Sequence, residues 1–207
     1  VLTAFTAGLV LITISELGDK TFFIAVILSM QHSRRVVFAG VTAALAAMTV
    51  LSVIFGQLLS ALTQGSKIYV HYAEIVLFIA FGLKLLYDAW KMPAKPDEEV
   101  IEEAREAVEK AELDSQQKSL WSILLKSFVL TFIAEWGDRT QIATIALAAS
   151  NNPIGVTLGA VLGHAICAAI AVIGGKLIAG KISEKQITFL GGFLFIIFGI
   201  VAAIEGN

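Results

Sequence analysis

Ser15-Glu-Leu-Gly-Asp-Lys-Thr21 returns later in the chain as Ala134-Glu-Trp-Gly-Asp-Arg-Thr140, and the rest of the sequence is arranged around these two strings. Each places two acids and a base inside a long apolar run. The register extends well beyond the strings. With Glu16 matched to Glu135, 119 residues on, Gly40 falls on Gly159, Val53 and Ile54 on Val172 and Ile173, Gly56 on Gly175, and Leu58 on Leu177. Because the polar motif residues match as well as the apolar ones, the pattern reads as an internal duplication.

The surrounding composition says what kind of solvent the duplicated unit meets. Of 207 residues 57% are hydrophobic and 15% charged, and the mean hydropathy is +0.82; this excludes a water-soluble fold and most soluble enzymes. Of the 32 Lys, Arg, Asp and Glu residues, 14 lie between Lys91 and Lys118, leaving the remainder nearly free of charge. A net charge of -2 without a Lys/Arg-rich block leaves no footprint for nucleic acid. The single cysteine, Cys167, excludes an intrachain disulfide and a zinc-thiolate cluster. The first apolar stretch carries Glu16 and Asp19 and has no basic segment before it, so it does not read as a cleaved signal peptide.

Six apolar stretches, centred near Ser15, Ala47, Phe81, Glu135, Ile166 and Ile196, have the ~20 residues needed to cross a bilayer. Turn or charge signals separate them at 31–35, 64–67, 93–119, 150–153 and 180–185. The expected fold is an all-α integral membrane protein of six transmembrane helices. Residues 1–92 form a first three-helix repeat, 93–119 an acidic linker helix, and 120–207 a second three-helix repeat. Three is odd, so the second repeat enters upside down, as in many secondary transporters. Arg34, Arg35, Lys91, Lys95, Lys118, Lys126, Lys181 and Lys185 flank breaks on one side and Lys67 stands on the other. The linker is therefore expected in the cytosol, with both termini on the far side.

Glu16, Asp19, Glu135 and Asp138 would sit near mid-membrane, where each charge costs about 3 kcal/mol. They must face one another, a wet cavity or an ion. The i, i+3 spacing puts each pair on one helix face, and inverted symmetry brings the two faces together. Four converging carboxylates repel in a low dielectric, so the site is expected to hold a cation or keep protons. Oxygen donors without thiolate or imidazole clusters suit hard divalent ions such as Ca²⁺, Mn²⁺ and Mg²⁺.

The neighbours of these acids have two readings each. Gly18 and Gly137 either loosen the helix and free carbonyl oxygens or allow close helix packing. Thr21 and Thr140 are expected to back-bond the helix, reaching an ion only if the chain breaks after the glycine. Lys20 and Arg139 are expected to pair with the acids, leaving a deficit of two charges that one divalent ion or two protons would fill, or else to snorkel. Ser127 and Thr131 extend the Glu135-Asp138 stripe as a candidate half-pathway or as back-bonded hydroxyls. His164 is a candidate proton relay, although a hydrogen-bonded core histidine is favoured because its repeat counterpart is Leu45. Gly155, Gly159 and Gly163 read as a ridge for helix packing. Glu74 is expected to be solvated at the outer mouth. The linker acids run from Asp97 to Glu112 with Val100, Ala104, Val108 and Ala111 at helical spacing, giving an amphipathic helix expected to serve as a solvated connector.

The paired Glu-x-Gly-Asp-(Lys/Arg)-Thr strings, in two hydrophobic halves joined by an acidic loop, resemble the transmembrane protein 165 family of cation/proton exchangers from bacteria, cyanobacteria, chloroplasts and the Golgi. The resemblance covers essentially the whole chain. It implies a transporter rather than an enzyme, exchanging Mn²⁺ or Ca²⁺ for H⁺, with Glu16, Asp19, Glu135 and Asp138 as ligands, no resident cofactor, and the lipid bilayer as its setting. The extended N-terminal region of organellar members is not in this sequence, which is expected either of a protein of a bacterial or cyanobacterial plasma or internal membrane or of a trimmed chain. An exporter of a small organic solute such as an amino acid, using Lys20 and Arg139 to hold a carboxylate, is the competing reading. A non-transporting scaffold would leave the duplicated acids without a purpose.

Overall fold

A computed structural model describes residues 1–63, 67–92, 98–113, 119–178 and 184–205. Among them the chain forms nine α-helices and no strands: α1 (Leu2–Glu16), α2 (Lys20–Gln31), α3 (Arg34–Leu62), α4 (Lys67–Lys91), α5 (Glu98–Leu113), α6 (Leu120–Ala134), α7 (Arg139–Ser150), α8 (Pro153–Ile178) and α9 (Glu184–Glu205). Lys95, Asp97, Lys118, Lys181 and the breaks at 64–66 and 179–183 lie outside the described residues, as do the side chains of Lys67, Glu98, Glu99 and Leu177 and the packing of Gly175.

Four helices, α3, α4, α8 and α9, are long and apolar enough to cross a membrane, and α6 with α7 makes a fifth candidate bent by 76°. The first motif stretch is likewise divided, into the shorter apolar helices α1 and α2. The two motif-bearing stretches are thus not single helices. Both are interrupted at the motif glycine, with Gly18 at φ 80° and Gly137 at φ 83°. A residue with a Cβ resists that left-handed conformation, which is why the interruption falls on glycine. A Cβ on Gly137 would meet nothing within 4 Å, so backbone freedom and not close packing explains this residue.

Small residues let the other helices close around the breaks. A Cβ on Gly155 would lie 2.5 Å from the Val1 carbonyl oxygen and one on Gly163 3.0 Å from that of Leu9, while Gly159 faces Phe5. These glycines form the expected ridge, seating α8 directly on α1. The same contact recurs with the halves exchanged: Gly40 on α3 faces the Leu124 carbonyl of α6 as Gly159 faces that of Phe5, each pair member being 119 residues from its counterpart. Helices α4 and α9 meet through Gly82, Gly192 and Gly199, beside an edge-to-face contact of Phe78 and Phe195 at 5.8 Å.

The linker helix is not the solvated connector expected. Ala104 and Val108 are fully buried in a cluster with Phe22, Ile24 and Val37, and Val100 and Ile101 pack against its edge. The apolar stripe of α5 is a docking face, and its charged groups add anchors. Lys20 Nζ donates to Glu103 Oε2 (3.1 Å), while His32 Nε2 and Lys126 Nζ both donate to Glu112 Oε1, at 2.8 and 2.6 Å. At the far end of the fold the N-terminus of α8 faces that of α1.

Two outcomes follow. Gly137→Ala should lose about 1–2 kcal/mol of stability from left-handed strain alone, and Gly137→Asn less, because Asn tolerates that region. Thermal unfolding in detergent that failed to rank Gly above Asn above Ala would contradict this. Partial burial would raise the Glu112 carboxyl, but the hydrogen bonds from Lys126 and His32 outweigh it and hold the group below its ordinary 4.5. A depressed acid stabilises the docked helix fully above about pH 4.5 and loses that contribution as pH falls through the lowered value. Glu112→Gln should therefore speed amide hydrogen exchange in α5 at pH 7, with wild type and variant converging at low pH.

Candidate cation site

Each motif folds into the same turn. The helix ends at or beside the glutamate, the glycine turns left-handed, and the aspartate opens the next helix as its N-cap, Asp19 at φ -76°, ψ 170° and Asp138 at φ -68°, ψ 163°. Asp19 N–H donates to the Glu16 carbonyl (3.3 Å) and Asp138 N–H to that of Glu135 (3.2 Å). Aspartate suits an N-cap because four amides there lack helical partners. The glutamates stand at the opposite pole, beside helix C-termini whose free carbonyls carry partial negative charge. Two such ends converging on one point favour a cation over an anion.

The motifs do converge. Glu16, Asp19 and Glu135 can each offer one carboxylate oxygen with all three oxygens within 4.8 Å of one another. Glu16 and Glu135 are buried, 2% and 3% exposed, and Oε1 of each has no hydrogen-bond partner in the protein. Buried oxygens in that condition are costly unless something positive meets them. Asp138, the fourth expected ligand, falls outside this trio and spends Oδ2 on the Thr140 amide (3.2 Å) and hydroxyl (3.0 Å).

The threonines do not back-bond the helix as expected. Because α2 starts at Lys20 and α7 at Arg139, neither Thr21 nor Thr140 has a helical carbonyl four residues back. Thr21 Oγ1 instead donates to Glu16 Oε2 (3.4 Å) and Thr140 to Asp138. The expected pairing of both cations with the acids holds for one only. Arg139 Nη2 lies 3.7 Å from Asp19 Oδ1, linking the second motif to the first, whereas Lys20 turns away to Glu103 on α5. The break sets this, since Lys20 is the first residue of α2 and faces the docked linker. The two-cation balance drawn from the sequence therefore does not describe this arrangement.

Ser127 and Thr131 are both fully buried on α6. Ser127 Oγ donates to the Ile123 carbonyl (2.8 Å) beneath Gly40, so it serves packing, while the Thr131 hydroxyl has no partner. His164 is buried as expected, and its Nδ1 has no hydrogen-bond partner in the protein. It lines a cavity of about 10 Å³ together with Glu135, Thr140 and Gln141. Glu74, expected in solvent, is 3% exposed and accepts from Asn151 Nδ2 (3.1 Å) at a separate cavity of about 300 Å³.

Sequence reasoning missed Met48, Thr49, Ser52, Gln141 and Thr144, which line the small cavity at Glu135. Gln141 was the available signal, an uncharged amide directly after the motif in an apolar stretch. Its Oε1 accepts from the Gly137 amide (2.7 Å) and its Nε2 donates to Met48 Sδ (3.0 Å), tying α3 to the break.

Residues 4–93 and 123–207 match the family model described as the divalent cation/proton antiporter GDT1. The chain is 57% identical to a GDT1-like protein of Synechocystis over 97% of both chains. It is 44% identical to GDT1-like protein 4 of Oryza sativa subsp. indica, covering 95% of this chain and 72% of that one. Identity to the chloroplastic PAM71-homolog protein of Arabidopsis thaliana is 43%, over 95% of this chain and 58% of that one. No solved structure matches. Two half-chain matches that each contain one acidic motif, together with identity running through nearly the full length, make this chain a member of the GDT1 family of divalent cation/proton antiporters.

Proposed function

We propose that the chain exports Mn²⁺, Ca²⁺ or both in exchange for protons, binding the ion between the two motifs. The observation that carries this reading is the meeting of Glu16, Asp19 and Glu135 oxygens within 4.8 Å at the junction of four half-helices. Asp138 completes the site's charge from the N-cap of α7, and Thr21, Thr140 and Arg139 hold the acids in place. The glycine turns at Gly18 and Gly137 release backbone carbonyls beside the ion, as broken helices do in other transporters.

In this reading α1 with α2, and α6 with α7, each make one broken crossing, and residues 1–92 and 120–207 act as inverted repeats around the linker 93–119. The exchanged contacts of Gly40 with Leu124 and Gly159 with Phe5 support that relation, because a two-fold axis between the halves generates such pairs. Docking of α5 beside Lys20, His32 and Lys126 fits the cytosolic placement that the basic residues favour. Export of an organic acid is less well supported, since Lys20 is engaged by Glu103 and Arg139 by Asp19.

Protons and metal compete for the same carboxylate oxygens, so one can leave as the other arrives. Proteoliposomes carrying metal- and pH-sensitive dyes should show metal flux coupled to opposite proton flux, with apparent metal affinity rising with pH on the loading side. Glu16→Gln, Asp19→Asn, Glu135→Gln and Asp138→Asn should each lower metal transport by roughly 10- to 100-fold, in line with lost metal-site interactions. Protein yield should hold up better than transport, because neutralising a buried charge lowers its insertion cost. Wild-type rate and affinity in any one of these variants would remove that residue from the site.

A further inference from the structure

On the side of the fold where α5 docks, most basic side chains are already engaged. Lys20 donates to Glu103, His32 and Lys126 to Glu112, and Lys185 to the Met92 carbonyl (3.1 Å), while Lys91 lies over the Tyr87 ring at 4.2 Å. Arg34 and Arg35, at the start of α3, are not. Both are exposed, and neither has a hydrogen-bond or ion-pair partner among the described residues. The acids of α5 bypass them, although α5 packs in the same cluster as Val37, one turn further along α3.

The two arginines line a cleft of about 230 Å³ between α3 and α8, whose other walls are Phe38, Ala169, Val172 and Ile173. Among the described residues its polar lining is the arginines alone. Ile173 is 73% exposed, so the cleft opens sideways, onto the apolar surface that faces lipid. The duplication supplies a comparison. Ala169, Val172 and Ile173 correspond to Val50, Val53 and Ile54, so this wall is apolar in both halves, whereas Arg34 and Arg35 correspond to Pro153 and Ile154. The charge therefore stands in one copy only.

Charge at one end of an apolar cleft matches one ligand chemistry, an anionic headgroup joined to an acyl chain. Guanidinium forks hold phosphate oxygens through paired N–H donors, and basic pockets between membrane helices bind anionic headgroups. A free phosphate would use the arginines without the cleft, and a zwitterionic lipid the cleft with little gain from the charge. We propose that the cleft between α3 and α8 binds one anionic phospholipid, with Arg34 and Arg35 on the headgroup phosphate and the acyl chain along Phe38, Ala169, Val172 and Ile173. The lipid then bridges two helices that also line the cavity at Glu135. The assignment goes beyond the exchange reading and does not depend on which ion is carried.

The whole chain, purified in detergent and stripped of lipid, is titrated with phosphatidylglycerol, phosphatidylcholine or inorganic phosphate and followed by native mass spectrometry. One phosphatidylglycerol should bind at least about tenfold tighter than phosphatidylcholine, the scale of a hydrogen bond to a charged group. Inorganic phosphate should neither bind measurably nor displace it. Arg34→Gln with Arg35→Gln should lose the preference, and Ala169→Phe, which fills the cleft, should weaken phosphatidylglycerol binding by a similar factor with both arginines intact. Lys84→Gln with Lys110→Gln removes the same charge from exposed side chains elsewhere and should leave binding as in wild type. Thermal unfolding in lipid-free detergent checks that each variant is folded. Equal affinity for the two lipids, displacement of lipid by phosphate, wild-type affinity in the arginine or the cleft variant, or an equal loss in the lysine control would overturn the inference.

Discussion

Two glutamates buried among apolar helices impose the constraint from which the rest of the architecture follows. An ionised carboxylate in such surroundings is unstable unless opposite charge or hydrogen-bond donors reach it, yet Glu16 and Glu135 each keep one oxygen without a protein partner. A continuous helix would offer such a group only its own saturated backbone. Breaking α1 from α2 and α6 from α7 at a left-handed glycine brings unsaturated helix ends into the interior, with carbonyls beside the glutamates and amides beside the aspartates. The broken helices are then held by tight packing, which is why glycines on α3 and α8 sit against the backbones of α6 and α1.

Duplication supplied two similar halves, and the chemistry lies in where they diverge. Arg139 reaches across to Asp19 while its counterpart Lys20 reaches outward to Glu103. Thr140 secures the cap of α7 while Thr21 turns to Glu16. Asp19, whose side chain makes no capping bond, is left to join the acid trio, and Asp138 is not. One geometry therefore holds two differently charged half-sites.

The acidic linker belongs to this design through Lys20, the residue that directly follows a trio member. Docking of Ala104 and Val108 on the cluster around Phe22 and Val37 holds α5 against α2, where Glu103 accepts from Lys20. A segment that reads as surface charge is thereby held against the helix that follows the first motif.

Much of this was legible in the residues themselves. Period and composition set the all-helical membrane class, the repeated strings located the acids and the turn glycines, and spacing by four marked the ridge of Gly155, Gly159 and Gly163. These are local properties, written into hydropathy, backbone freedom and helical periodicity. The partners of Lys20 and Thr21, the unpartnered Nδ1 of His164, the burial of Glu74 and the cavity shared by Met48, Gln141 and Glu135 were not legible. Each depends on which helices meet once the chain breaks at Gly18 and Gly137, and the 76° bend between α6 and α7 redirects the side chains beyond it. Sequence alone determined where charge had to be accommodated; tertiary packing decided which charges and donors meet, because contacts between residues on different helices follow from helix directions that no local pattern encodes.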